Sequence, residues 1–195
     1  LYRYRSELGG PGWWSEVRGA VSGYLALPLP GFAHWVLAGR AAAGVRSGPS
    51  AEGYDLGGAA GSALEIVPGY VAGPGRRLFP LRGYRAASTG FTRAASLAAE
   101  LRIPVALVAK AAWRLPLGLD RISLSAFGEA GGGWRAGQPA RPLAYRDLGG
   151  ELVLDTAVPL DVSVRARIGV AVPLVSGLGA SAGKALAYLA FGSPF

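Results

Sequence analysis

The chain has 195 residues, a formal net charge of +8, and neither cysteine nor methionine. Hydrophobic residues make up 51% and charged residues only 16%, which excludes a disordered chain, because disorder needs the opposite balance. The lack of cysteine excludes a disulfide framework, thiol catalysis and cysteine-ligated zinc.

A chain without methionine is expected to be the interior of a longer one, with any targeting segment upstream of Leu1. The arginines are scattered, and Arg76–Arg77 is their only adjacent pair. Nucleic-acid surfaces cluster such charge on one face, so no nucleic-acid partner is expected. Gly19 to Gly39 is uncharged and long enough to span a bilayer as a helix. Pro28 and Pro30 break it, however, and Ile168 to Gly183 is too short and contains Pro173. Both segments read as strand, turn, strand.

The elements carry a period of two. Tyr2 and Tyr4 against Arg3, Arg5 and Glu7 predict a partial first strand. Val17, Val21, Leu25 and Leu27 oppose Glu16, Arg18, Ser22 and Tyr24. Trp35, Leu37, Ala41 and Val45 oppose His34, Arg40 and Arg46. Ala95, Leu97, Ala99, Leu101 and Ile103 oppose Ser96, Glu100 and Arg102. Ile122, Leu124, Ala126 and Ala130 oppose Arg121, Ser123, Ser125 and Glu129. Leu148, Leu152, Leu154 and Val158 oppose Glu151 and Asp155. Val162, Val164, Ala166, Ile168, Val170 and Val172 oppose Ser163, Arg165 and Arg167. Ala185, Ala187, Leu189, Phe191 and Phe195 predict the last strand. The fold class is therefore all-β, an antiparallel meander of about eight strands joined by Gly/Pro-rich segments.

Two architectures satisfy this alternation. A soluble sandwich turns its apolar faces inward, whereas a transmembrane barrel turns them to lipid and keeps a polar lumen. The polar parity carries small residues and mixed-sign Arg and Glu, as a wet, salt-bridged lumen would. Trp13, Trp14, Trp35, Trp113, Trp134 and Tyr145 fall near strand ends, like interfacial girdles. The barrel is the favoured reading, with a soluble β-domain in a binding role as the alternative.

No enzymatic chemistry is expected. Gly179-Ala-Ser181-Ala-Gly183 matches a nucleophile elbow, but no acid follows Ser181 and the only histidine is His34. Gly183-Lys184 fails as a phosphate loop, because position 178 is Leu and position 185 is Ala. The Gly57-Gly58 pair and the Gly131-Gly132-Gly133 run read as loop and strand-end glycines. His34 alone makes no metal site, and no cofactor is implied.

Residues 48–85 form a connection too long to be idle. It ends in Leu81-Arg82-Gly83-Tyr84. This run resembles the aliphatic-Arg-Gly-aromatic motif of the bacterial surface antigen superfamily, which includes the BamA, TamA and two-partner-secretion barrels. Ala99-Glu100-Leu101-Arg102-Ile103-Pro104 resembles that family's next strand. Phe127-Gly128-Glu129-Ala130-Gly131, followed by Trp134, resembles its aromatic-x-acid-x-Gly strand, with Glu where many members have Asp. Gly149-Gly150-Glu151-Leu152 resembles the start of a later strand. Leu189, Phe191 and the terminal Phe195 resemble an outer-membrane β-signal, although Ser193 and Pro194 depart from the usual pattern.

The resemblance implies that residues 1–195 are the C-terminal half of a sixteen-strand outer-membrane barrel. It implies that the 48–85 loop folds into the lumen, with Arg82 contacting the acidic Glu100 and Glu129. Parity independently places both glutamates on the polar face, and Arg82 offers a planar fork suited to carboxylates. The C-terminus is then periplasmic. Residues 48–85, 132–145 and 175–183 become external, and the turns at Pro28–Phe32, Val105–Gly118 and Pro159–Leu160 become periplasmic. The implied function is assembly or translocation, with an incoming strand pairing at a lateral seam. The implied partners are the outer-membrane lipid bilayer, the barrel assembly machinery and unfolded outer-membrane or secreted proteins. A barrel that anchors or exports a passenger domain, or a passive pore, remains open.

Overall fold

Short links between alternating segments favour antiparallel neighbours, and that is what forms. The computed structural model describes residues 2–6, 12–59, 64–67, 70–72, 79–111, 118–158 and 162–191. Eight strands make one antiparallel sheet. They are β1 (Tyr2–Ser6), β2 (Trp13–Leu27), β3 (Trp35–Ser47), β8 (Arg93–Ala111), β9 (Gly118–Trp134), β10 (Tyr145–Val158), β11 (Val162–Pro173) and β12 (Leu186–Phe191). Their spatial order is also β1-β2-β3-β8-β9-β10-β11-β12. The four intervening short strands belong to the long connection. They are β4 (Tyr54–Leu56), β5 (Leu64–Val67), β6 (Tyr70–Ala72) and β7 (Ala87–Phe91). No helix occurs among the described residues.

The meander is as the alternation predicts, and the sheet is open: β1 and β12 are its two edges. Three boundaries differ from expectation. Residues 105–111 continue β8 and pair with β9 (Ala106 with Ile122, Leu107 with Arg121), so they are not a turn. Pro104 reads as a stop because it lacks an N–H, but the sheet absorbs it in a register shift between Pro104 and Ala106. Gly131, Gly132 and Gly133 lie inside β9, opposite Ser96, Ala95 and Ala94, so the following connection is shorter than predicted. The connection from β3 runs on to residue 92 rather than 85, and it is not structureless: β4 pairs with β7, and β5 with β6. Trp113, Pro159, Leu160, Arg76, Arg77 and Phe195 lie outside the described residues.

The two sheet faces have opposite chemistry. On one face Glu16, Arg40, Glu100, Glu129, Asp147, Glu151 and Arg167 are all buried. On the other, Val17, Val21, Leu25, Leu37, Val45, Leu97, Leu124, Leu148, Ile168 and Leu189 are exposed, Val21 by 68%. Among the described residues, the long connection covers part of the polar face and nothing covers the apolar face. The hydrophobic cluster follows from this. It is made by Tyr54, Leu56 and Phe79 of the connection against Ala42 and Ala94 of the sheet, flanked by Phe91 and Leu178. Gly44 leaves room for it, since a side chain there would meet the Tyr54 hydroxyl at 2.6 Å.

Candidate functional site

The connection is fastened at both ends. Near its start, Arg46 donates to the carbonyls of Glu52 and Gly53 at 3.1 Å each and lies 4.3 Å from the centre of the Tyr54 ring. Arg46 in turn pairs with buried Glu16 at 3.1 Å. Burial and the Glu16 carboxylate push the Tyr54 phenol up to about 12. Further on, the Gly57 and Gly58 N–H groups donate to the Phe79 and Tyr84 carbonyls, at 3.2 and 2.9 Å. Both glycines have positive φ, +84° and +87°, a conformation that favours residues without Cβ.

The chain then turns at Leu81-Arg82-Gly83-Tyr84, and all four residues are buried. Arg82 is the hub. Its backbone N–H and its Nε donate to the two carboxylate oxygens of Glu129, at 2.7 and 2.9 Å. Its Nη1 and Nη2 both reach Glu100 Oε2 at 3.2 Å, and Nη1 lies 3.0 Å from Glu151 Oε1. The guanidinium is stacked 3.5 Å from the centre of the Phe127 ring. Burial disfavours the Arg82 charge, but the carboxylates of Glu129, Glu151 and Glu100 outweigh it and hold the guanidinium above its usual range.

Gly83 and Tyr84 complete the seat. The Gly83 N–H donates to Asp147 Oδ2 at 3.0 Å, and a Cβ on Gly83 would lie 2.6 Å from the Asp147 Cβ. Only glycine fits that approach. The Tyr84 hydroxyl accepts the Arg146 N–H at 3.0 Å and shares its proton between the Arg146 and Val175 carbonyls, 2.8 Å from each. Its ring meets Tyr145 edge-on at 5.4 Å. Burial raises the Tyr84 phenol above its ordinary value. The Leu81 side chain packs where Gly131 leaves space.

The structure thus brings Arg82, Glu100 and Glu129 together. It adds groups that the sequence reading did not assign to the motif: Asp147, Glu151, Phe127, Arg167 and Tyr188. Glu151 Oε1 accepts from Arg167 at 3.0 Å and from the Tyr188 hydroxyl at 2.6 Å, besides facing Arg82. Gly169 makes room for the Tyr188 ring. Parity was the available signal, since Asp147 shares it with Glu151, and Phe127 with Glu129. Leu189 is exposed on the bare face, far in character from this polar hub. Phe191 ends β12 in register with Ala166. Ser181 lies exposed just after the Gly177–Ala180 bridge, and no acid or histidine bonds to it among the described residues.

This arrangement is a lock: one loop tip, held by five strand-borne polar groups on β8, β9 and β10. Comparison with protein-family models, with curated proteins and with solved structures found no match.

Proposed function

We propose that the chain is the C-terminal half of a sixteen-strand outer-membrane β-barrel of the class that assembles or translocates other outer-membrane proteins. The observation that carries this reading is the inverted polarity of the sheet. Large apolar side chains are exposed on one face, while seven charged ones, Glu16, Arg40, Glu100, Glu129, Asp147, Glu151 and Arg167, are buried on the other. Water would favour the reverse, and lipid favours this. The strands β2, β3 and β8 to β11 have 12 to 19 residues, enough to cross a bilayer with tilt. Trp13 and Trp35 open strands and Trp134 closes one, as interfacial anchors do.

In this reading the 48–85 connection is an external loop folded into the lumen, and the Arg82 hub keeps it there. Leu56, Phe79, Leu81 and Tyr84 fill the space over the polar face, which favours a plugged, regulated lumen over a passive pore. The sheet edges, β1 and β12, are the strands to which the rest of the barrel or an incoming strand adds by backbone pairing. The work is strand addition at a seam, with unfolded outer-membrane proteins as partners.

The chain has no native cysteine, so single cysteines test this cleanly. Ile168→Cys and Leu97→Cys in vesicle-reconstituted protein are expected to react with a bilayer-partitioned maleimide and not with a charged, water-borne one. Labelling of both by the water-borne reagent would mark a soluble β-domain and end the membrane reading.

A further inference from the structure

Beyond the Arg82 hub, on the same polar face, lies a cavity of about 180 Å³. That volume corresponds to roughly six water molecules at ~30 Å³ each. It opens between β3, β8, β9, β10 and β11, toward the end of the sheet opposite the Leu81–Tyr84 turn. Arg102, Arg121, Arg165 and Arg167 line it, with the carboxylates of Glu100 and Asp155. Cations therefore exceed anions on its walls, whereas the neighbouring hub is rich in carboxylates. The polar face is divided into an acidic shelf, filled by Arg82, and a basic basin.

The basin's carboxylates are already engaged. Glu100 pairs with Arg102 at 2.8 Å as well as with Arg82. Asp155 stands in register between Arg121 on β9 and Arg165 on β11. Arg165 takes both of its oxygens, at 2.6 and 3.3 Å. Arg121 is left with no acid, and it makes no ion pair or hydrogen bond among the described residues. A second group points the same way. Ser125 is 4% exposed, lies in register between Arg102 and Glu151, and its hydroxyl has no partner among the described residues. A buried hydroxyl is rarely left so, and here it lines the cavity.

We propose that this basin is a binding site for a small tetrahedral oxyanion of the phosphate class. The whole Arg121 guanidinium, with the groups of Arg102 and Arg165 that point past their own carboxylates, comes from three strands and suits an acceptor with oxygens in several directions better than a planar carboxylate, which a single fork satisfies. Arg121 is the principal charge partner, Ser125 donates its hydroxyl, and Arg102 and Arg165 add donors from the flanks. The site does not depend on what covers the bare apolar face, so it stands or falls apart from the membrane reading.

The test is a titration of the full chain with inorganic phosphate, followed by phosphorus NMR line broadening at fixed ionic strength. Saturable binding is expected, weakened about tenfold in Arg121→Gln and about threefold in Ser125→Ala. Arg141→Gln removes the same charge from an exposed loop at the other end of the sheet and is expected to leave binding unchanged. Chloride at equal ionic strength is expected not to compete. Protease resistance of the 48–85 connection reports that each variant is folded. Absence of saturable binding, or equal weakening by Arg121→Gln and Arg141→Gln, would overturn the proposal, as would full competition by chloride.

Discussion

Arg82 grips Glu129 twice, through its backbone N–H at 2.7 Å and through its Nε at 2.9 Å, so one carboxylate fixes both the main chain and the side chain of the loop tip. A side-chain pair alone would leave the backbone free to pivot. Here the two bonds set the direction from which the guanidinium reaches Glu100 and Glu151. The loop's position and its ion pairing are therefore one event.

Arg82→Ala is expected to release the loop while leaving the sheet folded. Removing the arginine leaves buried Glu129 without its cation and takes one partner each from buried Glu100 and Glu151, which keep Arg102 and Arg167, a loss on the order of 3–5 kcal/mol for a broken buried pair. The sheet's own hydrogen-bond ladders do not involve Arg82. Limited proteolysis within residues 48–85 should accelerate, and the β-sheet circular dichroism should hold. Arg82→Lys should rescue poorly, because an ammonium cannot reproduce the fork that serves Glu129 and Glu100 together.

Glu129→Asp tests the geometry rather than the charge. It retracts the carboxylate by one methylene, while Arg82 is held by two bonds of fixed direction. A double-mutant cycle with Arg82→Ala should give a coupling of about 0.5–3 kcal/mol for Glu129, read from loop protease susceptibility. A coupling near zero would mean that Glu100 and Glu151 carry the seat without it.

The strands were legible because alternation is a local property: each residue's face follows from its neighbours two away. The buried glutamates on one parity and the bare valines and leucines on the other needed nothing beyond that. The partners of Arg82 were legible only in part. Glu100 and Glu129 stand next to recognisable motifs, whereas Asp147, Glu151 and Tyr188 reach the hub through the register of β10 on β9, β11 on β10 and β12 on β11. Register depends on the hairpin connections and on bulges such as the one between Asp155 and Thr156, which parity does not reveal. The small β4–β7 pair was hidden for a related reason. Tyr54 and Phe91 are paired across the whole loop, so no sequence window contains both.

Gly83→Ala is expected to unseat the tip by sterics alone. The added Cβ would fall 2.6 Å from the Asp147 Cβ, which belongs to β10 and cannot swing away as a flexible side-chain end would. The Gly83 N–H would then lose Asp147 as its acceptor. Loop proteolysis should rise as in Arg82→Ala although every charge is intact. An unchanged digestion pattern would show that β10 yields at this point.

The bare face offers a sharper contrast between solvents. Leu97 is 49% exposed on β8, opposite Ala130 and opposite Ala41, the central residue of β3. In a lipid environment Leu97→Arg should cost about 2–4 kcal/mol. An exposed position in water would register within about 0.5 kcal/mol. Urea unfolding of vesicle-reconstituted protein measures the difference, and a cost below about 0.5 kcal/mol would place that face in water.

Tyr84 gives the loop a dependence on alkaline pH. Burial favours the neutral phenol, so the docked hydroxyl titrates above the ordinary value of ~10, the value it has once the loop is released. A group whose pKa is raised on docking stabilises the docked state fully below its free pKa, and that contribution fades as pH rises through the docked value. The hydroxyl proton is shared between the Arg146 and Val175 carbonyls, and its loss would set a phenolate against both. Loop protease resistance should therefore be level up to pH ~10 and fall above it. Tyr84→Phe should lower resistance by about 1–3 kcal/mol at neutral pH, because the Arg146 N–H and two carbonyls lose their partner. It should also flatten the alkaline decline, and a decline of the same size in Tyr84→Phe would assign it to another group.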